Sequence, residues 1–207
     1  FKLHFKGGAY DLVYVSADGR YHTKIESNLH ITKQTTGEEN DYNEYWQVIT
    51  PDGTKYRFGQ GTNSELVCNG RSFVASWNLD LVTDVHDNKI YYTYSENNGT
   101  SYLSQIKYNN DQSRIIDFTY GSSPYSRQMY PQGCNITESS RLINIQVKIN
   151  TSLVRQYDFT YSTAGNSQSL LQAIIEKGSD GASALPPAIF DYKSEVKDLK
   201  RCALRSG

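Results

Sequence analysis

Cysteine is scarce and badly placed for metal. Cys68, Cys134 and Cys202 lie far apart and none belongs to a C-x-x-C pair, which excludes the closely spaced ligand set of a structural zinc site. Their spacing leaves open one disulfide plus a free thiol, or three free thiols. Long apolar runs are missing, so no segment reads as a membrane-spanning helix, and no secretory leader is recognisable. An excess of one charge is missing as well. The 21 Lys and Arg balance 22 Asp and Glu with no basic stripe, which argues against a nucleic-acid partner. There is no G-x-G-x-x-G, no phosphate loop and no G-x-S-x-G, so no cofactor is expected and no nucleophile announces itself. The chain opens on Phe1 in mid-strand without an initiator Met and is read as a piece of a longer protein.

What is present is Tyr, 17 of them, in alternating patterns. Tyr buries a ring while its hydroxyl stays wet, which suits a sheet with one solvated face. From Trp77 to Tyr94 the sequence reads strand, turn, strand: Trp77, Leu79 and Leu81 alternate with polar residues, Asp84, Asp87 and Asn88 supply turn chemistry, and Ile90, Tyr92 and Tyr94 alternate again. Tyr45 to Gly59 is a second hairpin, with Trp46 and Val48 on one face, Pro51-Asp52-Gly53 as the turn, and Tyr56 and Phe58 on the return. Earlier strands are expected around Phe1–Phe5, Asp11–Val15, Tyr21–Ile25 and Leu29–Thr32, with Gly7-Gly8 as a turn. Residues 35–43, 60–70 and 121–140 read as loops.

From Tyr91 onward an internal repeat emerges: aromatic-x-Tyr, a polar turn, then Leu-x-x-Ile. It occurs as Tyr92-Thr93-Tyr94 with Leu103 and Ile106, Phe118-Thr119-Tyr120 with Leu142 and Ile145, and Phe159-Thr160-Tyr161 with Leu171 and Ile174. Phe190-Asp191-Tyr192 is a final half unit. Residues 167–177 have helix-compatible composition, but the repeat aligns them with strands. The expected fold is all-β: antiparallel hairpins in a meander with YD-like repeats and little helix. One domain is expected over residues 1–193, with a sub-boundary near 60–72, followed by a basic tail or linker over 194–207.

The order of these motifs carries a resemblance. Trp46-x-Val48, then Asp52-Gly53-x-x-Tyr56-x-Phe58-Gly59, then Trp77-x-Leu79, Asp84, Asn88-x-Ile90-x-Tyr92-x-Tyr94 and Tyr102-Leu103-x-x-Ile106-x-Tyr108 resemble the N-terminal domain shared by the Salmonella plasmid virulence protein B and the B component of insecticidal Tc toxins, which is related to Rhs/YD-repeat proteins. The resemblance implies a β-rich shell or docking module of a secreted or cell-surface toxin. The remainder of its own chain or a toxin-complex subunit would be its partner, and any catalytic payload would lie elsewhere. This fragment is therefore not expected to be an enzyme.

Other candidate chemistry has plainer explanations. Glu38, Glu39, Asp41 and Glu44, and separately Asp84, Asp87 and Asn88, offer oxygens to a metal, but the first set lacks the alternate spacing around a Gly of a calcium loop and turn formation explains the second. No metal is expected. His4, His22, His30 and His86 have no nucleophile partner that spacing can name. Trp46, Trp77 and the Tyr residues permit an alternative reading as a module binding carbohydrate or a cell-surface receptor, against which strict alternation favours a core role. Sequons at Asn98, Asn135 and Asn150 are no more than chance supplies and are glycosylation sites only along a route that glycosylates.

Overall fold

Alternating residues and well-spaced turn signals build one long antiparallel meander. The computed structural model describes residues 1–36, 40–61, 63–68, 70–163 and 168–192. The strands are β1 (Lys2–Phe5), β2 (Gly8–Val15), β3 (Arg20–Thr23), β4 (His30–Gln34), β5 (Tyr45–Ile49), β6 (Lys55–Phe58), β7 (Glu65–Val67), β8 (Val74–Trp77), β9 (Leu79–Thr83), β10 (Lys89–Asn97), β11 (Thr100–Tyr108), β12 (Arg114–Met129), β13 (Ile136–Ile149), β14 (Ser152–Thr163), β15 (Ser169–Lys177) and β16 (Ala188–Ile189). Fourteen of them form one sheet in chain order, with β6 passing directly to β9, while β7 and β8 make a hairpin of their own. Among the described residues the sole helical turn is 3-10, at Pro131–Gly133. The all-β meander expected from the sequence is what forms.

The turns follow from their residues. Gly53 takes φ +84° and its N–H bonds the Thr50 carbonyl at 2.8 Å, closing the turn that Pro51 begins. Asp84 accepts from the amides of His86 and Asn88 at 2.8 and 2.9 Å, and Asp87 sits at φ +62°. Both acidic positions are thus occupied with turn formation.

The first half of the sheet curls onto itself. Tyr21 pairs with Ile31, Ile31 with Val48, Val48 with Tyr56 and Tyr56 with Val82, so these residues share one face. β1 then folds over that face: the Phe5 ring meets Tyr56 at 4.7 Å, and Phe1 meets Trp46 at 4.9 Å and Trp77 at 6.0 Å, all edge to face. Phe5, Ile31, Trp46, Val48 and Phe58 are sealed inside, with Leu3, Leu12, Leu29 and Leu79 packed against them. Gly59 is required here. It takes φ +84°, and a Cβ would come within 2.8 Å of the Trp77 side chain.

Four expectations are corrected. Trp77 and Leu79 are not on one strand: β8 ends at Trp77, because Asn78 turns its N–H to the Ser64 carbonyl and its own carbonyl to the Gly59 N–H. Residues 60–70 contain β7, paired with β8, rather than loop alone. The third strand stops at Thr23, leaving Ile25 exposed. The stretch 121–140 is mostly strand. β12 and β13 pair through Gly121↔Arg141 and Ser122↔Ser140 and, after an irregularity, Arg127↔Glu138 to Met129↔Ile136. Its residues are polar on both faces, so period-two alternation could not reveal it. The tail from 193 and the acidic residues Glu38 and Glu39 lie outside the described residues.

A disulfide joins Cys68, just after β7, to Cys134, just before β13, across 66 positions. Both cysteines are buried. The bridge ties the separate β7–β8 hairpin to the end of the long β12–β13 hairpin. The turn between β10 and β11 packs at the same end, its Asn98 carbonyl accepting the Thr137 N–H at 3.0 Å.

Candidate functional site: the repeat half of the sheet

The repeat has one geometric cause. In each unit the aromatic residue pairs with the Ile and the Tyr pairs with the Leu: Tyr92↔Ile106 and Tyr94↔Leu103, Phe118↔Ile145 and Tyr120↔Leu142, Phe159↔Ile174 and Tyr161↔Leu171. One residue separates the aromatics but two separate Leu from Ile. The surplus residue makes a β-bulge at Thr93/Tyr94, Thr119/Tyr120 and Thr160/Tyr161. Each Tyr then reaches back to the preceding strand, donating its hydroxyl to the Leu79, Leu103 or Leu142 carbonyl at 2.7, 3.0 and 2.6 Å. Burial pushes the phenols of Tyr94, Tyr120 and Tyr161 above their ordinary range, so they remain donors.

The structure adds an earlier unit that the sequence reading missed. Tyr56↔Val82 and Phe58↔Leu79 repeat the same register with a bulge at Arg57/Phe58. The signal was there as Tyr-x-Phe and Leu-x-x-Val, hidden because Phe replaces Tyr. Its surplus residue is Asp80, whose buried carboxylate bonds Arg57 Nε at 3.1 Å and the Gly61 N–H at 2.5 Å. Burial raises the Asp80 pKa, and the Arg57 bond and charge oppose that rise. Asp80 and Arg57 line an open cleft of about 500 Å³ with Lys89, Tyr91 and Tyr92.

The two faces of β11–β15 differ in chemistry. Gln105↔Asp117, Asp117↔Gln146, Gln146↔Gln156 and Gln156↔Lys177 make one row across the sheet. Its polar atoms satisfy one another: Gln105 donates to Asp117 at 2.7 Å, Lys148 meets Asp117 at 2.9 Å, and Lys177 meets Asp158 at 2.7 Å. Burial acts to raise Asp117, but the bonds from Gln105 and Lys148 outweigh it and hold the carboxyl below its ordinary value. By register the opposite face carries Tyr92, Ile106, Ile116 and Val147, then Phe118, Ile145 and Tyr157. These apolar side chains are only half-buried. From Lys89 to Tyr192 the one buried hydrophobic residue, among the described residues, is Cys134.

The other candidates disperse. Of the carboxylates expected as one run, Glu44 pairs with Lys33 at 2.7 Å and Asp41 is exposed. Asp84 and Asn88 bond each other in their turn, Asn88 Nδ2 donating to Asp84 at 2.8 Å. Among the described residues no group of three acidic, His or Cys side chains is arranged to hold a metal. His22 lies between Asp18 at 2.8 Å and Glu26 at 3.8 Å, and the His30 ring meets Arg20 at 2.7 Å. The His22 bond, helped by Arg20, lowers Asp18 to about 2. His4 pairs across the strand with Ala9, and His86 lies exposed in the Asp84 turn. Trp46 is sealed in the core and unavailable for stacking on a sugar, while Trp77 packs on it at 5.8 Å. Asn98, Asn135 and Asn150 are exposed, Asn98 and Asn150 in turns at φ +52° and +53°. The disulfide was legible only as an open alternative, because pairing depends on which loops the sheet brings together.

Comparison with known proteins fits this geometry. The family model for SpvB, the Salmonella virulence plasmid 65kDa B protein, matches residues 12–162. No curated protein matches. The N-terminal domain of effector protein SpvB from Salmonella typhimurium strain LT2 superposes with a TM-score of 0.65 at 14% identity, over 82% of this chain and 70% of that one. A chain in the crystal structure of TcdB2-TccC3-Cdc42 superposes with a TM-score of 0.68 at 15% identity, over 91% of this chain but 12% of that one. Identities this low show a shared fold, and the second neighbour is far longer than this chain. The family match spans well over half of the sequence, so the chain belongs to the Salmonella virulence plasmid 65kDa B protein family.

Proposed function

We propose that this chain is a non-catalytic structural and docking module of a secreted, toxin-like protein. The observation that carries the reading is the open repeat face: Ile106, Ile116, Phe118, Ile145 and Val147 share one side of the sheet, and no element of the described chain seals them. A stable sheet needs its apolar face covered. The kinship with the SpvB N-terminal domain and the TcdB2-TccC3-Cdc42 chain supports placing that cover in the rest of a toxin polypeptide or a toxin-complex subunit. The bulged aromatic-x-Tyr units support the further link to Rhs/YD-repeat proteins. Residues 1–193 act in this reading as one unit, with the signature residues from Trp46 to Tyr94 serving fold rather than chemistry.

The test uses the intact toxin polypeptide carrying Ile116→Asp together with Ile145→Asp. Both side chains are already half in water, so circular dichroism of residues 1–207 should keep its β signature. Limited proteolysis of the intact polypeptide should become at least tenfold faster as the face is uncovered. Proteolysis at the parental rate, with the variant folded, would show that nothing docks on this face.

A further inference from the structure

The last half unit stands in the same register as the complete ones. In each complete unit the aromatic residue lies opposite the bulged residue of the preceding strand, one step beyond the pairs Tyr91↔Leu81, Asp117↔Gln105 and Asn144↔Asp158. Those bulged residues are Asp80, Ser104 and Ile143. Phe190 repeats this: Ile189 pairs with Ala173, and the Phe190 N–H bonds the carbonyl of Gln172, the bulged residue of β15, at 3.0 Å. Phe190 therefore corresponds to Tyr92, Phe118 and Phe159, and Tyr192 to Tyr94, Tyr120 and Tyr161.

Two features of the complete units are missing at this edge. Each earlier Tyr faces a Leu on the following strand, and each hydroxyl bonds the Leu just before the bulge. Tyr192 has neither. It is 53% exposed, and Ile189 beside it is 67% exposed. Leu185 and Phe190 add to the apolar surface. Residues 193–207 contain no Leu-x-x-Ile, so they do not supply the complement.

We propose that Ala188–Tyr192 is a docking edge for one more antiparallel strand of Leu-x-x-Ile sequence, supplied by a partner polypeptide segment, its Leu opposite Tyr192 and its Ile opposite Phe190. The strand bonds the outward backbone groups of Ile189 and Asp191, because the Phe190 N–H already points at β15 and neighbours on a strand alternate. Its arrival orders Tyr192, whose hydroxyl then reaches the Leu171 carbonyl as its counterparts reach theirs. This deepens the docking reading by naming one place and one kind of partner. It is separable from the open face, which a strand at this edge leaves uncovered.

The probe is a synthetic peptide with the sequence of Ser169–Lys177, which carries Leu171-Gln-Ala-Ile174, labelled for fluorescence anisotropy against the whole chain. Saturable binding is expected, weakened at least tenfold in a peptide with Asp at both apolar anchor positions. Asp191→Pro, which removes one outward N–H at an exposed position, should cause a loss of similar size. Hydrogen exchange supplies a second readout: the Ile189 and Asp191 amides should slow on peptide addition while the Phe190 amide, already bonded, changes little. Absence of saturable binding, equal binding of the Asp-bearing peptide, or exchange protection confined to other strands would overturn the proposal. So would dimerisation of the chain through this edge without peptide, since the occupant would then be a second copy.

Discussion

The two halves of the sheet use the same alternation and end in different states. Between Phe1 and Thr83 the apolar face is sealed: Ile31 and Val48 are 1% exposed, and Phe1 and Phe5 close over Trp46 and Tyr56. Between Lys89 and Lys177 the same face continues through Ile90, Ile106, Ile116 and Ile145 but stays half-exposed. The first half has short strands that let the sheet curl until β1 meets β5 and β6, whereas the second has strands of 9 to 16 residues locked by bulges and a satisfied polar row. Apolar alternation makes a sheet in both cases, and closure makes a core in one.

This contrast can be broken most severely at Trp46. Trp46→Ala should cost roughly 3–5 kcal/mol by removing the centre of the sealed core, while Ile116→Ala on the open face should cost about 1 kcal/mol. Urea denaturation of both variants measures the gap, and equal losses would mean the second half is as well packed as the first. The disulfide comes next, as the covalent tie between the halves. Replacing Cys68 and Cys134 together by Ser should cost about 2–4 kcal/mol, since the bridge closes a loop of 66 positions. Thermal melts should also lose cooperativity if the bridge is what makes the halves unfold together. The smallest effect is local to the repeat half. Tyr161→Phe deletes the hydroxyl bonded to Leu142 and leaves that carbonyl unpaired, costing about 1 kcal/mol. Tyr192→Phe should change stability by less, because its hydroxyl has no such bond in the free chain; equal losses would remove the distinction between filled and unfilled units.

Much of the fold was legible because strands announce themselves by period two. β5, β6, β9 and β10 lie where alternation placed them and β14 and β15 where the repeat aligned them, and the Leu-x-x-Ile spacing carried the surplus residue that the bulges absorb. The far ends of β12 and β13 were illegible because Ser122, Arg127 and Gln128 carry no apolar alternation, and pairing alone makes them strands. The unit at Tyr56 was missed because Phe58 has no hydroxyl. The Asp80–Arg57 pair was missed because its partners are 23 positions apart and meet only across β6 and β9.

By itself the sequence determined the β class, the hairpin turns at Gly53 and Asp84, and the repeat with its surplus residue, since these depend on backbone preference and on neighbours within a hairpin. Tertiary structure alone decided that Cys68 meets Cys134, that Trp46 is sealed while Ile116 is open, and that Tyr192 stands at an unfilled edge. Those outcomes depend on how far the sheet curls, and curling is set by the sum of twists and bulges over many strands rather than by any short stretch.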